Sequence, residues 1–182
     1  FIDSIDYKFW AHKRVLLRVD FNIAKSNDGK YDSTDLFRVE ASLETINYLL
    51  RSGANIGLIS HRADEMPFHD ILPELRDILK VGLQVVERIE DLSSRAQLNK
   101  IALFENIRFK KGEEANDEAF AKVLTSGFDI YVNDAFSVCH RQHASISAVT
   151  SYLPSYGGLL LKKEIEMLSS FINAPKKGKT LL

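Results

Sequence analysis

Short runs of β-branched and other apolar residues alternate along the chain with longer segments in which apolar residues recur every three or four positions. The short runs predict strands, and the longer segments predict helices with one apolar face. Their alternation is typical of a parallel sheet covered by helices. We therefore expect an α/β fold with three layers, α/β/α and Rossmann-like, around a mainly parallel sheet of about six strands.

Five strands and six helices are predicted individually. The strands are residues 14–20, 55–60, 83–86, 100–104 and 128–132. The helices are residues 36–50, which Gly53 ends, residues 72–80 with Pro73 in the first turn, residues 91–98, a helix that Asn116 caps and Gly127 ends, and residues 144–152 and 163–171, with a turn at 154–158 between the last two.

Polar residues follow the ends of four predicted strands. In a parallel sheet these carboxyl ends share one edge, and ligands of open α/β folds bind there. Loops are polar in most proteins, but three of these four carry an arginine, whose planar fork matches phosphate or carboxylate oxygens in pairs. The pattern predicts a small anionic ligand with hydroxyl groups. The residues are Asp20 and Asn22, His61 and Arg62, Glu105, Asn106 and Arg108, and Asn133, Asp134 and Arg141.

Composition restricts the class of protein. With 182 residues, 45% of them hydrophobic and 27% charged, the chain is long enough for one sizeable globular domain. The formal net charge of −1 gives no general attraction to nucleic acid or a membrane, so we expect neither as a partner. A single cysteine and the lack of a signal-peptide pattern predict the cytoplasm. Because the chain begins at Phe1 rather than Met, we expect it to be part of a longer protein.

Three further features of the sequence bear on its chemistry. Cys139, His140 and His143 are ligand types for zinc, but no second cysteine pair or matched cluster accompanies them, so no metal site is expected. The lysines within residues 176–179 predict a solvated linker. The sequence has no glycine-rich phosphate loop of the GxxxxGK[ST] type, so we expect no tightly bound nucleotide in this chain alone.

Five segments, in order along nearly the whole chain, resemble the N-terminal domain of phosphoglycerate kinase. They are RVLLRVDFN with Arg38 following it, SH at residues 60–61, LFENIRFKKGEE, DIYVNDAFSVCHRQHAS and LPSYGGLLLKKEIEML. The resemblance implies that residues 1–175 form a phosphoglycerate-binding domain. Residues 176–182 would begin the crossover to an absent nucleotide-binding domain.

The resemblance also implies a reaction. Enzymes of this family transfer a phosphoryl group in glycolysis between 1,3-bisphosphoglycerate and ADP, with 3-phosphoglycerate and ATP as the other pair. The complete enzyme would use Mg²⁺ with ATP or ADP, whereas no cofactor is expected on this domain alone. We expect a monomer with a covalently linked C-terminal domain, and no kinase activity from this chain by itself. The alternative is a divergent binding module or pseudoenzyme with the same fold.

The same resemblance implies roles in the site for particular residues. Asp20 and Asn22 would meet the hydroxyl and carboxyl end of glycerate. Arg38, expected at the start of the first long helix, would be the catalytic arginine nearest the transferring phosphoryl group, where charge stabilises the transition state. Its alternative is a solvated arginine on a helix face. The substrate-binding set is Asp20, Asn22, Arg38, His61, Arg62, Arg108 and Arg141, with His61, Arg108 and Arg141 on the 3-phosphate.

Other residues are expected to support the site. Arg18 interrupts an apolar strand, and a buried arginine needs a partner. Either it forms a structural salt bridge or it braces the carboxylates of the site, which it borders by resemblance. Asn133, Asp134, His140 and His143 are placed in the same supporting group.

The sequence departs from the family pattern at three points. Residues 62–65 read RADE where the family usually has Leu-Gly-Arg-Pro, so a phosphate-binding arginine is missing and Asp64 stands in its place. The sequence leaves open whether Arg62, carried by a rebuilt loop, takes the place of that arginine. Ile23 replaces a proline, and Ser137 replaces a glycine. Loss of one charged contact costs roughly 1.5–3 kcal/mol, which favours weakened binding or a divergent paralogue.

Overall fold

The computed structural model describes residues 1–24, 31–62 and 64–173. The lysines predicted as a linker and the crossover predicted at residues 176–182 lie outside the described residues. Within the described part of the chain, no helix is both long and apolar enough to cross a membrane.

One sheet of six strands, all parallel, forms the centre of the fold, so the predicted α/β architecture is confirmed. The strands are β1 (Arg14–Arg18), β2 (Asn55–Ile59), β3 (Val85–Val86), β4 (Ile101–Phe104), β5 (Ile130–Asn133) and β6 (Ser155–Gly157). Their order in the sheet is β3-β4-β2-β1-β5-β6. The first strand along the chain therefore lies inside the sheet, between β2 and β5.

Helices cover both faces of the sheet. They are α1 (Ser33–Ala41), α2 (Leu43–Arg51), α3 (Leu72–Leu79), α4 (Ile89–Asn99), α5 (Lys111–Glu114), α6 (Glu118–Thr125) and α7 (Leu159–Asn173). Val15 and Leu17 of β1 pack in one apolar cluster, and Leu16, which points to the opposite face, packs in the other. The first cluster includes residues of α2, α3 and α7, and the second includes residues of α4 and α6.

The first predicted helix is divided into α1 and α2 at Ser42. The buried Ser42 hydroxyl donates to the Val39 carbonyl over 2.7 Å. A serine side chain that bonds to the preceding turn competes with the regular helical pattern, and this explains the division. Gly53 has a φ of 84° just beyond α2, as expected of a residue that ends a helix.

Three predictions near the C-terminal half are wrong. Asp117, not Asn116, caps α6, because its carboxylate accepts from the Phe120 amide over 2.6 Å. Residues 144–152 contain only a 3-10 turn (Ala148–Ser151) instead of a helix. The predicted turn at 154–158 contains β6, whose three residues are too few to show an alternating pattern.

Candidate functional site

The loops after β1, β2, β4 and β5 meet at one edge of the sheet. Arg18, the last residue of β1, lies opposite Ile59 of β2 and Asn133 of β5. The backbone continues these pairings beyond the strands, since the Asp134 amide donates to the Arg18 carbonyl over 2.8 Å and the Ile107 amide donates to Ser60 over 3.1 Å. The four predicted groups of polar residues therefore lie at one edge of the sheet. They surround the end of β1, the strand at which the order of the sheet reverses.

Asp20, Asn22 and Arg38 lie together on this edge. Arg38 Nη1 is 3.5 Å from Asp20 Oδ2, and the Asn22 amide donates to Asp20 Oδ1 over 3.3 Å. Ser137 Oγ donates to Asp20 Oδ2 over 2.7 Å. The Asp20 carboxylate is thus oriented from three sides before any ligand binds.

Arg38 lies in the last turn of α1, so its expected place at the start of a helix is wrong. A cation is stabilised there by the negative end of the helix dipole. The Arg38 side chain is 42% exposed and borders a cavity of about 300 Å³ between α1, the 3-10 turn Phe136–Val138 and α7. The cavity lining includes Asp20, Phe37, Phe136, Ser137, Leu160 and Glu164.

Arg18 is buried, and no carboxylate of the described residues forms an ion pair with it. Its Nη1 donates to the carbonyls of Val19 (3.1 Å) and Ile59 (3.3 Å), and its Nη2 lies 3.2 Å from His61 Nδ1. Burial lowers the pKa of Arg18, while the carboxylates of Glu113 and Asp20 oppose that shift. Arg18 therefore braces the site through His61 and the ends of β1 and β2.

His61 is a neutral hydrogen-bond donor in this arrangement. Burial, followed by the charges of Arg18, Arg108 and Arg141, lowers the pKa of His61 to about 3. Because an arginine can only donate, His61 Nδ1 accepts from Arg18, and the single ring proton is on Nε2. His61 thus offers an N–H group, without a charge, to a ligand on this edge.

Arg108 and Arg141 supply the positive charge beside His61. Arg108 lies in the 3-10 turn Ile107–Phe109 and forms a 3.4 Å ion pair with the exposed Glu114. The half-buried Arg141 side chain makes no hydrogen bond or ion pair with any residue that the structure describes. Both guanidinium groups lower the pKa of His61, so the positive charge of each reaches the region around the His61 ring. The three side chains together can bind an anion.

Glu113 is a buried carboxylate that sequence reasoning missed. It is 1% exposed, and it accepts from the Ser145 amide over 2.9 Å and from the Ser145 hydroxyl over 2.6 Å. His143 Nδ1 lies 3.8 Å from Glu113 Oε1, while burial lowers the pKa of His143. Glu113 therefore holds the segment that carries Arg141. Glu113 and Glu114 are adjacent in the sequence, and nothing in the sequence indicates which of the two is buried.

Arg62 is directed into the protein, where its guanidinium is bonded to other residues. It is 1% exposed, and its Nε donates to the Ile23 carbonyl over 3.0 Å while Nη1 donates to Pro67 over 2.6 Å. Its Nη2 forms a 2.5 Å ion pair with Asp64. These contacts occupy the guanidinium and join the loop after β1 to the loop after β2.

The supporting residues after β5 divide into three kinds. Asp134 is buried, and its Oδ1 accepts from the amides of Leu160 (3.0 Å) and Leu161 (3.2 Å), so it caps α7 rather than facing a ligand. Burial raises the pKa of Asp134 to about 7. Asn133 Oδ1 accepts from the Ala135 amide over 3.0 Å and shapes the turn. His140 is exposed.

The cysteine and histidines considered for zinc are not arranged around one point. Cys139 Sγ donates to the Ala135 carbonyl over 3.3 Å and accepts from Asn133 Nδ2 over 3.2 Å. Among the residues described, no group of three His, Cys, Asp or Glu side chains is placed to hold a metal ion.

Known proteins similar to this chain in sequence were found among families, curated relatives and solved structures. A family model described as "Phosphoglycerate kinase" matches residues 3–182. A phosphoglycerate kinase of Dictyoglomus turgidum is 41% identical over 176 residues, covering 91% of this chain and 44% of the relative. That of Maricaulis maris is also 41% identical, over 92% of this chain and 44% of the relative. The chain thus spans less than half the length of these relatives.

Solved structures share the fold. A phosphoglycerate kinase from Pyrococcus horikoshii superposes with a TM-score of 0.81 at 27% identity, over 97% of this chain and 46% of that structure. One from Coxiella burnetii superposes with a TM-score of 0.77 at 28% identity, over 92% of this chain and 44% of that structure. With the family match extending over residues 3–182, the chain belongs to the phosphoglycerate kinase family.

Proposed function

We propose that this chain is the phosphoglycerate-binding half of a glycolytic kinase that transfers a phosphoryl group between 1,3-bisphosphoglycerate and ADP, with 3-phosphoglycerate and ATP as the other pair. The observation that carries the proposal is the placement of Arg108, Arg141 and neutral His61 beside the oriented carboxylate of Asp20. Such a site combines a part that binds an anion with a part that accepts hydrogen bonds from hydroxyl groups.

The 3-phosphate is assigned to the anion-binding part. Among the described residues, Arg141 is a guanidinium without a protein partner, and Arg108 pairs only with Glu114, over 3.4 Å. Both can turn their planar forks to phosphate oxygens, and His61 Nε2 adds a neutral donor. At the other part, Asp20 and Asn22 would meet the hydroxyl and carboxyl end of glycerate.

Arg38 is assigned to the phosphoryl group in transfer. Negative charge spreads over the equatorial oxygens in the transition state, and catalysis is mainly positioning and electrostatic stabilisation. Arg38 meets this need because it is exposed and held only at 3.5 Å by Asp20. We leave Arg62 out of the binding set, since three contacts inside the protein occupy its guanidinium.

A covalently linked second domain would complete the enzyme and carry ATP or ADP with Mg²⁺, as the resemblance implies. Its place is supported by α7, where several large apolar side chains are exposed to solvent. Closure of that domain over the sheet edge would exclude water from the transfer. We further propose that the complete protein is a cytoplasmic monomer. The exposed residues are Ile165, Met167, Leu168, Phe171 and Ile172.

Binding of 3-phosphoglycerate to this chain tests the proposal. Titration calorimetry should give weak binding that Arg141→Ala weakens by roughly tenfold to a hundredfold, the loss expected for one charged contact. The matched control is Arg95→Ala on the exposed face of α4, which should bind as the unchanged chain does. Absence of heat at millimolar ligand, or equal effects of the two substitutions, would contradict the assignment.

The second candidate is a non-catalytic binding module. The loop at residues 62–65 supports it, because Arg62 pairs with Asp64 and leaves the phosphate two arginines instead of three. The two candidates differ in turnover. If the complete protein binds 3-phosphoglycerate yet gives no turnover with ATP and Mg²⁺, the binding module is correct.

A further inference from the structure

Two donors compete for one oxygen of the Asp20 carboxylate. Ser137 Oγ donates to Oδ2 over 2.7 Å, while Arg38 Nη1 lies 3.5 Å from the same atom. The shorter distance is that of a strong bond from a hydroxyl to a carboxylate, and the longer one is at the outer limit for a hydrogen bond. Ser137, rather than Arg38, is therefore the close partner of this oxygen.

The backbone places the Ser137 hydroxyl at this point. The 3-10 turn Phe136–Val138 begins shortly after β5, and the Cys139 amide closes it by donating to the Phe136 carbonyl over 3.0 Å. Before the turn, Asn133 Oδ1 accepts from the Ala135 amide over 3.0 Å. The hydroxyl thus reaches Asp20 from a turn that is fixed at both ends.

Arg38 shares its cavity with two carboxylates that can attract it. Asp20 is 3.5 Å away, and Glu164 of α7 lines the same cavity. The Glu164 carboxyl is half-buried, and the charge of Asp20 acts on it. A guanidinium that pairs tightly with either carboxylate has fewer donors left for a ligand.

We propose that the Ser137 hydroxyl is a positioning group that occupies Asp20 Oδ2 and so keeps the Arg38 guanidinium available to an anionic ligand. The identity of that ligand rests on the proposed function, whereas the competition at Asp20 does not. Without the hydroxyl, Oδ2 loses its shortest bond, and Arg38 is the cation already beside it. Arg38 would then pair closely with Asp20 and bind a ligand less well.

Ser137→Thr and Ser137→Val form a matched pair, since they differ only by a hydroxyl in place of a methyl group. Nitrogen NMR of the free chain can follow rotation of the Arg38 guanidinium, with the signal assigned by its loss in Arg38→Lys. We expect rotation about threefold slower in Ser137→Val than in Ser137→Thr, because the closer ion pair restrains it. Equal rotation in the two variants would overturn the proposal.

Binding provides the second measurement. By calorimetry, 3-phosphoglycerate should bind Ser137→Val about threefold to tenfold more weakly than Ser137→Thr, and this difference should disappear in an Asp20→Asn background. A difference that persists in that background would contradict action through Asp20. If the unchanged chain does not bind 3-phosphoglycerate, the proposed function fails, while the rotation of Arg38 still decides the role of Ser137.

A control variant separates this effect from a general one. Ser151 is an exposed serine in another 3-10 turn, Ala148–Ser151, and Ser151→Val should leave both rotation and binding as they are in the unchanged chain. If Ser151→Val slows Arg38 as much as Ser137→Val does, the positioning role is wrong.

Discussion

Three arginines near the site differ in what surrounds the guanidinium. Arg18 and Arg62 are each 1% exposed and bind backbone carbonyls. The Arg38 side chain is 42% exposed, and in the described part of the chain its one ion pair is with Asp20, over 3.5 Å. A buried arginine whose donors are used inside the protein stabilises loops, and an exposed one with free donors can bind a ligand. All three follow or interrupt apolar runs, so their sequence context does not separate them.

Arg62→Met should lower the free energy of unfolding by about 3 kcal/mol. The substitution leaves the carbonyls of Ile23 and Pro67 and the carboxylate of Asp64 without their donor, and a broken buried pair is costly. Urea unfolding measures the change, with Arg95→Met as the exposed control, expected to change the free energy by less than about 0.5 kcal/mol. Similar values for the two variants would show that Arg62 does not join the loops.

His61 should make stability depend on acid pH. Its pKa is about 3 in the folded chain against an ordinary value of 6.5, so below pH 6.5 the unfolded chain binds a proton that the folded chain does not. Stability from this group is present above pH 6.5 and is lost as pH falls toward 3, by up to about 1.4 kcal/mol per pH unit.

The measurement compares urea unfolding of the unchanged chain and His61→Gln from pH 7 to pH 4. Glutamine keeps an oxygen that can accept from Arg18 but does not titrate. The variant should lose less stability over this range. Parallel curves would show that the pKa of His61 is not lowered in the folded chain.

At the scale of elements, the start of α7 depends on one carboxylate. Asp134 Oδ1 binds the amides of Leu160 and Leu161, and the Leu159 amide donates to Thr45 of α2 over 2.9 Å. Gly158 lets the chain pass close to this group, because a Cβ there would lie 2.0 Å from Asp134 Oδ1. The helix is thus joined to β5 and α2 at its first turn.

Gly158→Ala should destabilise the chain by about 2 kcal/mol or more, since the added methyl group displaces the carboxylate that caps α7. Thermal unfolding of the variant measures the loss. Gly82→Ala is the matched control, because no atom lies within 4 Å of a Cβ built there. Equal melting temperatures of the two variants would argue against the close contact at α7.

The elements also show what the sequence could predict. Strand positions and the polar groups at their ends were predictable, because runs such as residues 56–59 carry no polar side chain and are buried on both faces. The division at Ser42 and the cap at Asp117 were not, because each depends on one hydrogen bond that several neighbouring polar residues could equally make. The directions of Arg62 and Glu113 depend on partners from other loops.

At the scale of the whole molecule, this chain should bind 3-phosphoglycerate but not catalyse transfer from ATP. The proposed reaction needs nucleotide and Mg²⁺ on the second domain and closure that excludes water. A coupled kinase assay measures turnover, and the same preparation should bind 3-phosphoglycerate by calorimetry as its control. Turnover by residues 1–182 alone would show that the proposed division of roles between two domains is wrong.

The central place of β1 has a consequence for synthesis of the protein. β1 pairs with β2 on one side and with β5 on the other, and the contact between Arg14 and Asp129 joins residues 115 positions apart. A growing chain emerges from its N-terminus, so β1 waits with one edge unpaired until β5 has left the ribosome. An unpaired strand edge recruits other strands. Ribosome-bound chains that end before residue 130 should therefore be the species that most need a chaperone.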